Sequence, residues 1–332
     1  MNGKPPLPRL GFLGLGWIGQ HRLQALLDQN ACEVVAIADP SPEARLRARE
    51  FAPGAALVST LDELLAHELD GAVIATPSAL HAGQALQVLE RRIAVFCQKP
   101  LARTRRETEA IVAAARRADR LLGCDLSYRH TEAMRRIRNA VVEGDIGTVY
   151  AADLVFHNAW GPSKGWARDM ALAGGGCVID LGTHLVDLAL WVLGFPAVQQ
   201  VGSRLYAHGR PLAAGAATCE DYAIAQLDLA GGIAVRLACS WDFSSGRDAV
   251  IEAHFHGSGG SAVMRNRDGS FHDFVAERCH GNRRVVLAEP PDAWGGRAIT
   301  EWARHLGAGA RYHPAIESTV LVAAVLDAIY GR

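Results

Sequence analysis

The 332-residue chain has no excess of charge of either sign: 34 lysines and arginines stand against 35 aspartates and glutamates. Binding a phosphate backbone needs a basic surplus, and there is neither that nor a run of like charges that reads as a tail. Nucleic acid is therefore not an expected partner. Paired cysteine motifs are missing as well. The seven cysteines (Cys32, Cys97, Cys124, Cys177, Cys219, Cys239 and Cys279) form no CxxC, which leaves zinc-ribbon and dithiol-redox readings without support. An odd number of scattered thiols suits a reducing compartment, so a cytoplasmic location is expected. Uninterrupted apolar runs are lacking too. Leu10 to Gly19 follows Lys4 and Arg9 as the core of a leader would, but four glycines interrupt it and no small-residue cleavage site follows. Met170 to Phe195 is broken by Asp180, His184 and Asp187, so no membrane span is expected. There is no internal repeat, and the length alone suggests two domains.

What is present first is alternation. Short apolar segments at Arg9 to Gly14, Glu33 to Ala38, Gly71 to Ala75, Ala94 to Gln98 and Leu121 to Asp125 read as strands. Between them lie helix starts: Ser41 before Pro42, and the capping boxes Thr60/Glu63 and Thr104/Glu107. This pattern predicts a doubly wound parallel sheet over residues 1–126. Residues 127–332 read differently. A helix from Glu132 to Glu143, the turn Gly144 to Gly147, a strand from Thr148 to Phe156 and a helix from Leu181 to Leu193 precede a series of alternating segments. These segments are Gln199 to Tyr206, Asp221 to Asp228, Ile233 to Trp241, Ala249 to His256 and Ala262 to Arg265. Strands without intervening helices predict an antiparallel sheet in a second domain, closed by a helix over about 316–330.

Gly14-Leu15-Gly16-Trp17-Ile18-Gly19 is a GxGxxG motif placed directly after the first strand, where it opens a helix through Leu27. That context makes it a dinucleotide-binding loop: a tight turn, close approach of a pyrophosphate, and close helix–strand packing. Asp39, twenty residues after Gly19, ends the second strand, where a carboxylate binds both ribose hydroxyls and repels a 2′-phosphate, favouring NAD over NADP. Arg45 is an opposing feature, a cation placed to accommodate that phosphate. Thr76-Pro77 with His81, and Gln98-Lys99-Pro100, follow later strands where a cofactor is expected. Gly174-Gly175-Gly176 leads into Asp180, His184 and Asp187, offsets that put three side chains on one helix face and suggest a proton-handling pair. Tyr128, Arg129, His157, Trp160, Lys164, Trp166, Arg168 and Asp169 mix aromatic platforms with hydroxyl-binding groups, as a polyol site does, although core packing and surface ion pairs account for them equally well. His254 and His256 face one side of a strand, but no third ligand stands at metal-site spacing.

Taken together these segments resemble the Gfo/Idh/MocA oxidoreductases, the glucose-fructose oxidoreductase and inositol dehydrogenase relatives, over nearly the whole chain. The resemblance rests on Gly14 to Gly19, Ala75-Thr76-Pro77 with His81, Lys99-Pro100-Leu101, Tyr128-Arg129, Gly144 to Gly147, Trp166-Arg168-Asp169, and Gly174 to Gly176 through Asp187. It implies an N-terminal Rossmann domain, a C-terminal α/β domain with a large, open, mainly antiparallel sheet, and an NAD(P)-dependent enzyme acting on a secondary alcohol or ketone of a sugar, cyclitol or related polyol. It further implies a catalytic set of Lys99, Asp180 and His184, and assembly as a homodimer or homotetramer. The implied cofactor contacts are Gly14, Gly16, Trp17, Ile18, Gly19, Asp39, Thr76, Pro77, His81, Gln98 and Lys99. The implied substrate contacts are Lys99, Tyr128, Arg129, Trp160, Trp166, Arg168, Asp180 and His184. Gln98 departs from the pattern, which usually has Glu before the Lys-Pro; an amide there removes a charge beside Lys99 but still forms hydrogen bonds. Two other functions are compatible with this family: an NAD-dependent glycosidase, recognised by aglycone release without NADH accumulation, and a non-catalytic nucleotide sensor, against which the intact Lys99, Asp180 and His184 argue.

Overall fold

A computed structural model describes residues 7–213 and 215–332. Its first unit comprises residues up to Ser127 together with Gly295–Val320. Strands β1 (Arg9–Leu13), β2 (Glu33–Ala38), β3 (Ala56–Val58), β4 (Gly71–Ile74), β5 (Ala94–Cys97) and β6 (Leu122–Cys124) form one parallel sheet in the order β3-β2-β1-β4-β5-β6. The order reverses beside β1, which places a crevice at the carboxyl ends of β1 and β4. Helices α1 (Trp17–Asp28), α2 (Pro42–Phe51), α3 (Leu61–Leu64), α4 (Ser78–Glu90) and α5 (Arg105–Ala118) connect the strands. Their starts follow the caps in the sequence: Ser41 accepts from the Ala44 NH, and Thr60 and Glu63 form a complete capping box. Thr104 caps α5, but Glu107 turns back to the Arg103 NH, one residue earlier than a capping box requires.

The second unit comprises Tyr128–Trp294 and Leu321–Arg332. After α6 (Glu132–Val142) comes β7 (Val149–Asn158); α7 (Met170–Ala173) and α8 (Thr183–Val192) follow it. Eight further strands complete a nine-stranded sheet: β8 (Val198–Ala207), β9 (Arg210–Pro211), β10 (Tyr222–Leu229), β11 (Ile233–Ser240), β12 (Ala249–Gly257), β13 (Gly260–Asn266), β14 (Phe274–His280) and β15 (Arg283–Ala288). The order is β15-β14-β13-β12-β7-β11-β10-β8-β9, antiparallel except where β7 lies parallel to β11. One face buries Leu154, Phe156, Leu237, Ile251, Phe255 and Met264 in a core shared with α6 and α8. Met170–Val192 is long and apolar enough to cross a membrane, but 89 % of its most apolar stretch is buried inside this unit, as expected of a core segment.

The division of the chain at 126/127 needs one correction. Helix α9 (Arg297–Gly307) belongs to the first unit because Trp302 lies on the parallel sheet, where a Cβ at Gly71 or Gly123 would come within 2.6 and 2.8 Å of its ring. The closing helix is α10 (Ser318–Tyr330), preceded by a 3-10 turn at Pro314–Glu317.

Candidate functional site

In the first unit the glycine loop is held by contacts that exclude side chains. Gly14 has φ +91°, and a Cβ there would meet the Ala75 carbonyl oxygen at 2.6 Å; a Cβ on Gly19 would meet the Gly14 oxygen at 2.2 Å. Gly16 caps α1 without any side-chain hydrogen bond, so the first-turn amides are left for an anion, where the helix dipole favours negative charge. Asp39 accepts from the Leu15 NH at 2.7 Å and the Ser41 NH at 2.9 Å. It thus joins the glycine loop to the end of β2, while Ser41, not Asp39, caps α2. Each carboxylate oxygen keeps a lone pair for a ribose hydroxyl. Arg45 donates to the Asp39 backbone carbonyl. These residues fit a dinucleotide.

Trp17 stands 69 % exposed at the start of α1, 5.8 Å from the His21 ring. Thr76 donates to the Gln84 side chain at 2.6 Å, and Pro77 precedes α4. His81 and Gln98, expected at the cofactor, both point inward. The His81 ring is buried with its nitrogens 2.8 Å from the carbonyl oxygens of Thr76 and Pro100, so it braces the Thr76 loop against the Lys99-Pro100 loop. Burial pushes this imidazole below the usual histidine range, against the pull of the two carbonyls. Gln98 is buried and donates to Asp125. Lys99 is half-buried at the end of β5.

In the second unit the glycine run is fitted around a residue that the sequence reading did not single out. Glu220 is fully buried; its carboxylate accepts from the NH groups of Gly176 and Val178, and from the Tyr330 hydroxyl at 2.8 Å. A Cβ on Gly176 would lie 2.0 Å from the Glu220 backbone oxygen, and one on Gly175 would lie 2.0 Å from the Tyr330 hydroxyl oxygen. The acid thus anchors the amino end of the segment that carries Asp180 and His184. The only sequence cue was an acid in a glycine- and alanine-rich stretch, with no local pattern to mark its long-range partners.

The expected continuous helix from Leu181 instead begins with one wide turn, Val178–Gly182, before α8. Such a turn inserts a residue and changes which side chains align. Asp180 turns to Trp241, whose indole NH donates to it at 3.0 Å. His184 is buried, its ring 4.6 Å from that of Tyr128. Asp187 pairs instead with Arg129, which lies over the Phe195 ring at 5.4 Å. Burial raises the Asp187 carboxyl and the Arg129 cation opposes that rise. Arg129, expected at the substrate, has a buried carboxylate as its partner.

Tyr128 is likewise a wall rather than a surface contact. It packs against Trp294 at 5.0 Å and Phe156 at 5.7 Å, and burial, then the charge of Asp180, pushes its phenol well above the usual range. Arg168 lies 5.5 Å from the Trp241 ring centre and donates to Asp242 at 2.9 Å, so it supports the tryptophan that holds Asp180. Trp160 is 51 % exposed and Trp166 is half-buried in the turn Gly165–Arg168; Lys164 is exposed, and Asp169 caps α7. His157 lies 2.7 Å from the Ser240 hydroxyl and stacks on Phe243. His254 and His256 pair separately with Glu252 and Asp153, each at 3.2 Å.

Trp241 is the second functional candidate absent from the sequence reading. Trp241→Phe keeps the ring and removes the donor to Asp180. The expected result is a fall in kcat of about tenfold, from loss of a hydrogen bond to a charged acceptor, with melting temperature little changed. Steady-state kinetics alongside thermal unfolding separate these effects.

Comparison with known proteins agrees over both units. Residues 9–126 match the model of the oxidoreductase family with an NAD-binding Rossmann fold, and residues 134–263 match the GFO/IDH/MocA C-terminal domain. The chain is 33 % identical over 274 residues to a putative UDP-kanosamine synthase oxidoreductase subunit of Amycolatopsis mediterranei, covering 77 % of this chain and 75 % of that one. It is 29 % identical over 262 residues to 1,5-anhydro-D-fructose reductase of Ensifer adhaerens, covering 78 % and 76 %. Among solved structures, levoglucosan dehydrogenase in complex with NADH and L-sorbose shares the fold with a TM-score of 0.84, at 22 % identity over 98 % of this chain and 96 % of that one. With the dinucleotide loop, the nine-stranded sheet and both family matches in place, the chain belongs to the GFO/IDH/MocA family of oxidoreductases.

Proposed function

We propose that this oxidoreductase transfers hydride between NAD and a secondary alcohol or ketone of a sugar, cyclitol or related polyol. The observation that carries the reading is the arrangement of Asp180 and His184: one carboxylate held by an indole NH, one imidazole walled by Tyr128, both on a segment anchored by Glu220. The names of the relatives, a sugar-nucleotide oxidoreductase subunit and an anhydrosugar reductase, support that substrate class.

When bound, nicotinamide would supply the hydride acceptor. The protein's own residues handle the proton and the charge. In the oxidising direction His184 takes the hydroxyl proton from the carbinol, and the carboxylate of Asp180 orients the imidazole and favours its protonated form. The Lys99 ammonium stabilises the alkoxide charge that develops on the oxygen. A buried histidine surrounded by aromatic rings keeps water away from the proton it carries.

Asp39 makes NAD the preferred dinucleotide, because a 2′-phosphate placed at the ribose would face this carboxylate. Titration of the purified protein with NADH and NADPH is expected to give at least about tenfold tighter binding of NADH, with Asp39→Ala narrowing the gap. Tighter binding of NADPH to the wild type would assign the dominant role to Arg45.

The seven scattered cysteines, with no CxxC pair, suit a reducing compartment, and we place the protein in the cytoplasm. The outward face of the nine-stranded sheet, with Ile224 exposed beside a ladder of ion pairs such as Asp153 with Arg236, supports assembly as a homodimer or homotetramer.

A further inference from the structure

The amide of Gln98 enters a buried charge arrangement within the first unit. Asp125 directly follows β6, is 1 % exposed, and receives two donors on the same oxygen: Arg22 Nε at 2.6 Å and Gln98 Nε2 at 2.7 Å. Its other oxygen, Oδ1, is buried without a hydrogen-bond partner in the structure. Arg22 comes from the second turn of α1 and is itself 5 % exposed, with a further nitrogen 3.0 Å from His21 Nδ1. The backbone joins the same three strands: the Gln98 NH donates to Ile74 at the end of β4, and the Asp125 NH donates to Cys97 at the end of β5.

A buried guanidinium needs an anion, and a buried carboxylate needs a cation. Arg22 and Asp125 satisfy each other, which leaves room at position 98 for a neutral donor only. A glutamate there would place a second carboxylate within hydrogen-bond distance of the first, with Arg22 on the first alone. Two carboxylates in that arrangement do not both ionise without strong repulsion. The negative charge next to the Gln98–Pro100 segment therefore stands at Asp125, and Gln98 donates to it.

We propose that Asp125, neutralised by Arg22 and linked through Gln98, is the positioning carboxylate for Lys99. Gln98 and Lys99 are adjacent, and the carbonyl of Pro100 is braced by His81, so the segment Gln98–Pro100 is fixed on both sides of the lysine. This inference rests on the proposed catalytic role of Lys99 for its consequence in turnover, but the linkage itself is a property of the fold.

The test is a charge exchange followed by three readouts: thermal unfolding, NADH affinity by fluorescence, and kcat with KM on a sugar substrate. Asp125→Asn leaves Arg22 buried without its anion, and Gln98→Glu adds a second carboxylate; each is expected to lower both the unfolding midpoint and kcat, kcat by tenfold or more. In Gln98→Glu the deficit in midpoint should shrink as pH falls, because the crowded carboxyl takes up a proton more readily in the folded state than in the unfolded chain. The double variant Q98E/D125N restores one carboxylate, one amide and one guanidinium. It is expected to recover most of the midpoint and at least tenfold in kcat over the poorer single variant. Wild-type behaviour of Gln98→Glu, or a double variant no better than Asp125→Asn, would overturn the proposal. Lys99→Ala serves as the control that separates the two claims. If it retains full turnover, the role of the lysine falls, whereas the order of unfolding midpoints still decides the linkage.

Discussion

Alanine at His184 is expected to lower kcat on the sugar substrate by about 10²- to 10⁴-fold, the usual contribution of a positioned general base. NADH affinity should stay at the wild-type value, because the glycine loop and Asp39 lie in the other unit and contain no part of this residue. The loss should be smaller at high pH, where hydroxide replaces the missing base. Two structural features make the effect chemical rather than merely destabilising. The ring lies in a fixed aromatic wall, 4.6 Å from Tyr128 and 6.4 Å from Phe156, and α8 continues through nine further buried or half-buried positions after it or beside it. His184→Asn, which keeps a polar side chain of similar length, should therefore unfold close to wild type while remaining slow. A variant that turns over at the wild-type rate would remove His184 from the mechanism.

Glu220→Ala carries the largest expected loss of stability. It leaves the NH groups of Gly176 and Val178 and the hydroxyl of Tyr330 buried without their acceptor. The cost is about 3 kcal/mol or more, since each abandoned donor bears a desolvation penalty. For a unit of this size that corresponds to a fall in melting temperature of roughly 6–12 °C. Glu220→Gln retains an acceptor oxygen and should lose far less. The comparison of wild type with Glu220→Gln has a definite pH dependence. Burial raises the Glu220 carboxyl above its usual value, against the donors that favour its charged form. A raised folded pKa means that the protonated acid contributes its full stability below the unfolded value of about 4.3 and loses it as pH rises through the folded value. Wild-type stability relative to Glu220→Gln should thus decline from about pH 4.3 upward and then level off. Unfolding curves of both proteins across that range check the sign, and an alanine variant as stable as wild type would show that the anchor is dispensable.

Much of the fold was legible because it rests on local signals. The first five strand positions were within one residue of those observed at either end, since short apolar runs bounded by turns and caps leave little freedom in a parallel sheet. Strand β3 escaped because three residues after a Pro-Gly pair carry no periodicity. Strands β14 and β15 escaped because Glu277, Arg278, Arg283 and Arg284 interrupt the alternation; the face they occupy is set by neighbours, not by their own polarity. Helix α9 did carry a signal, with Ala298, Ile299, Trp302 and Ala303 spaced for one buried face, yet nothing local says that this face returns to the first unit.

The site was legible in its residue types and less so in its contacts. Asp180 and His184 were identified together, but the wide turn at Val178–Gly182, which carries Asp180, could not be read from spacing. Arg129 and Tyr128 were read from residue type alone, and spacing gave no sign that Arg129 pairs with Asp187 or that Tyr128 packs on Trp294. Trp241 and Glu220 act through contacts spanning 61 and 42 residues, distances at which sequence pattern is silent.

The most direct test of the account is the formation of NADH by the purified protein, followed by absorbance, across inositols, aldoses, sugar acids and sugar nucleotides with NAD and NADP in parallel. The account requires turnover with at least one group of these polyols and faster reduction of NAD than of NADP. NAD binding without its reduction by any of them, accompanied by release of an aglycone from a glycoside or by no chemistry at all, would contradict it.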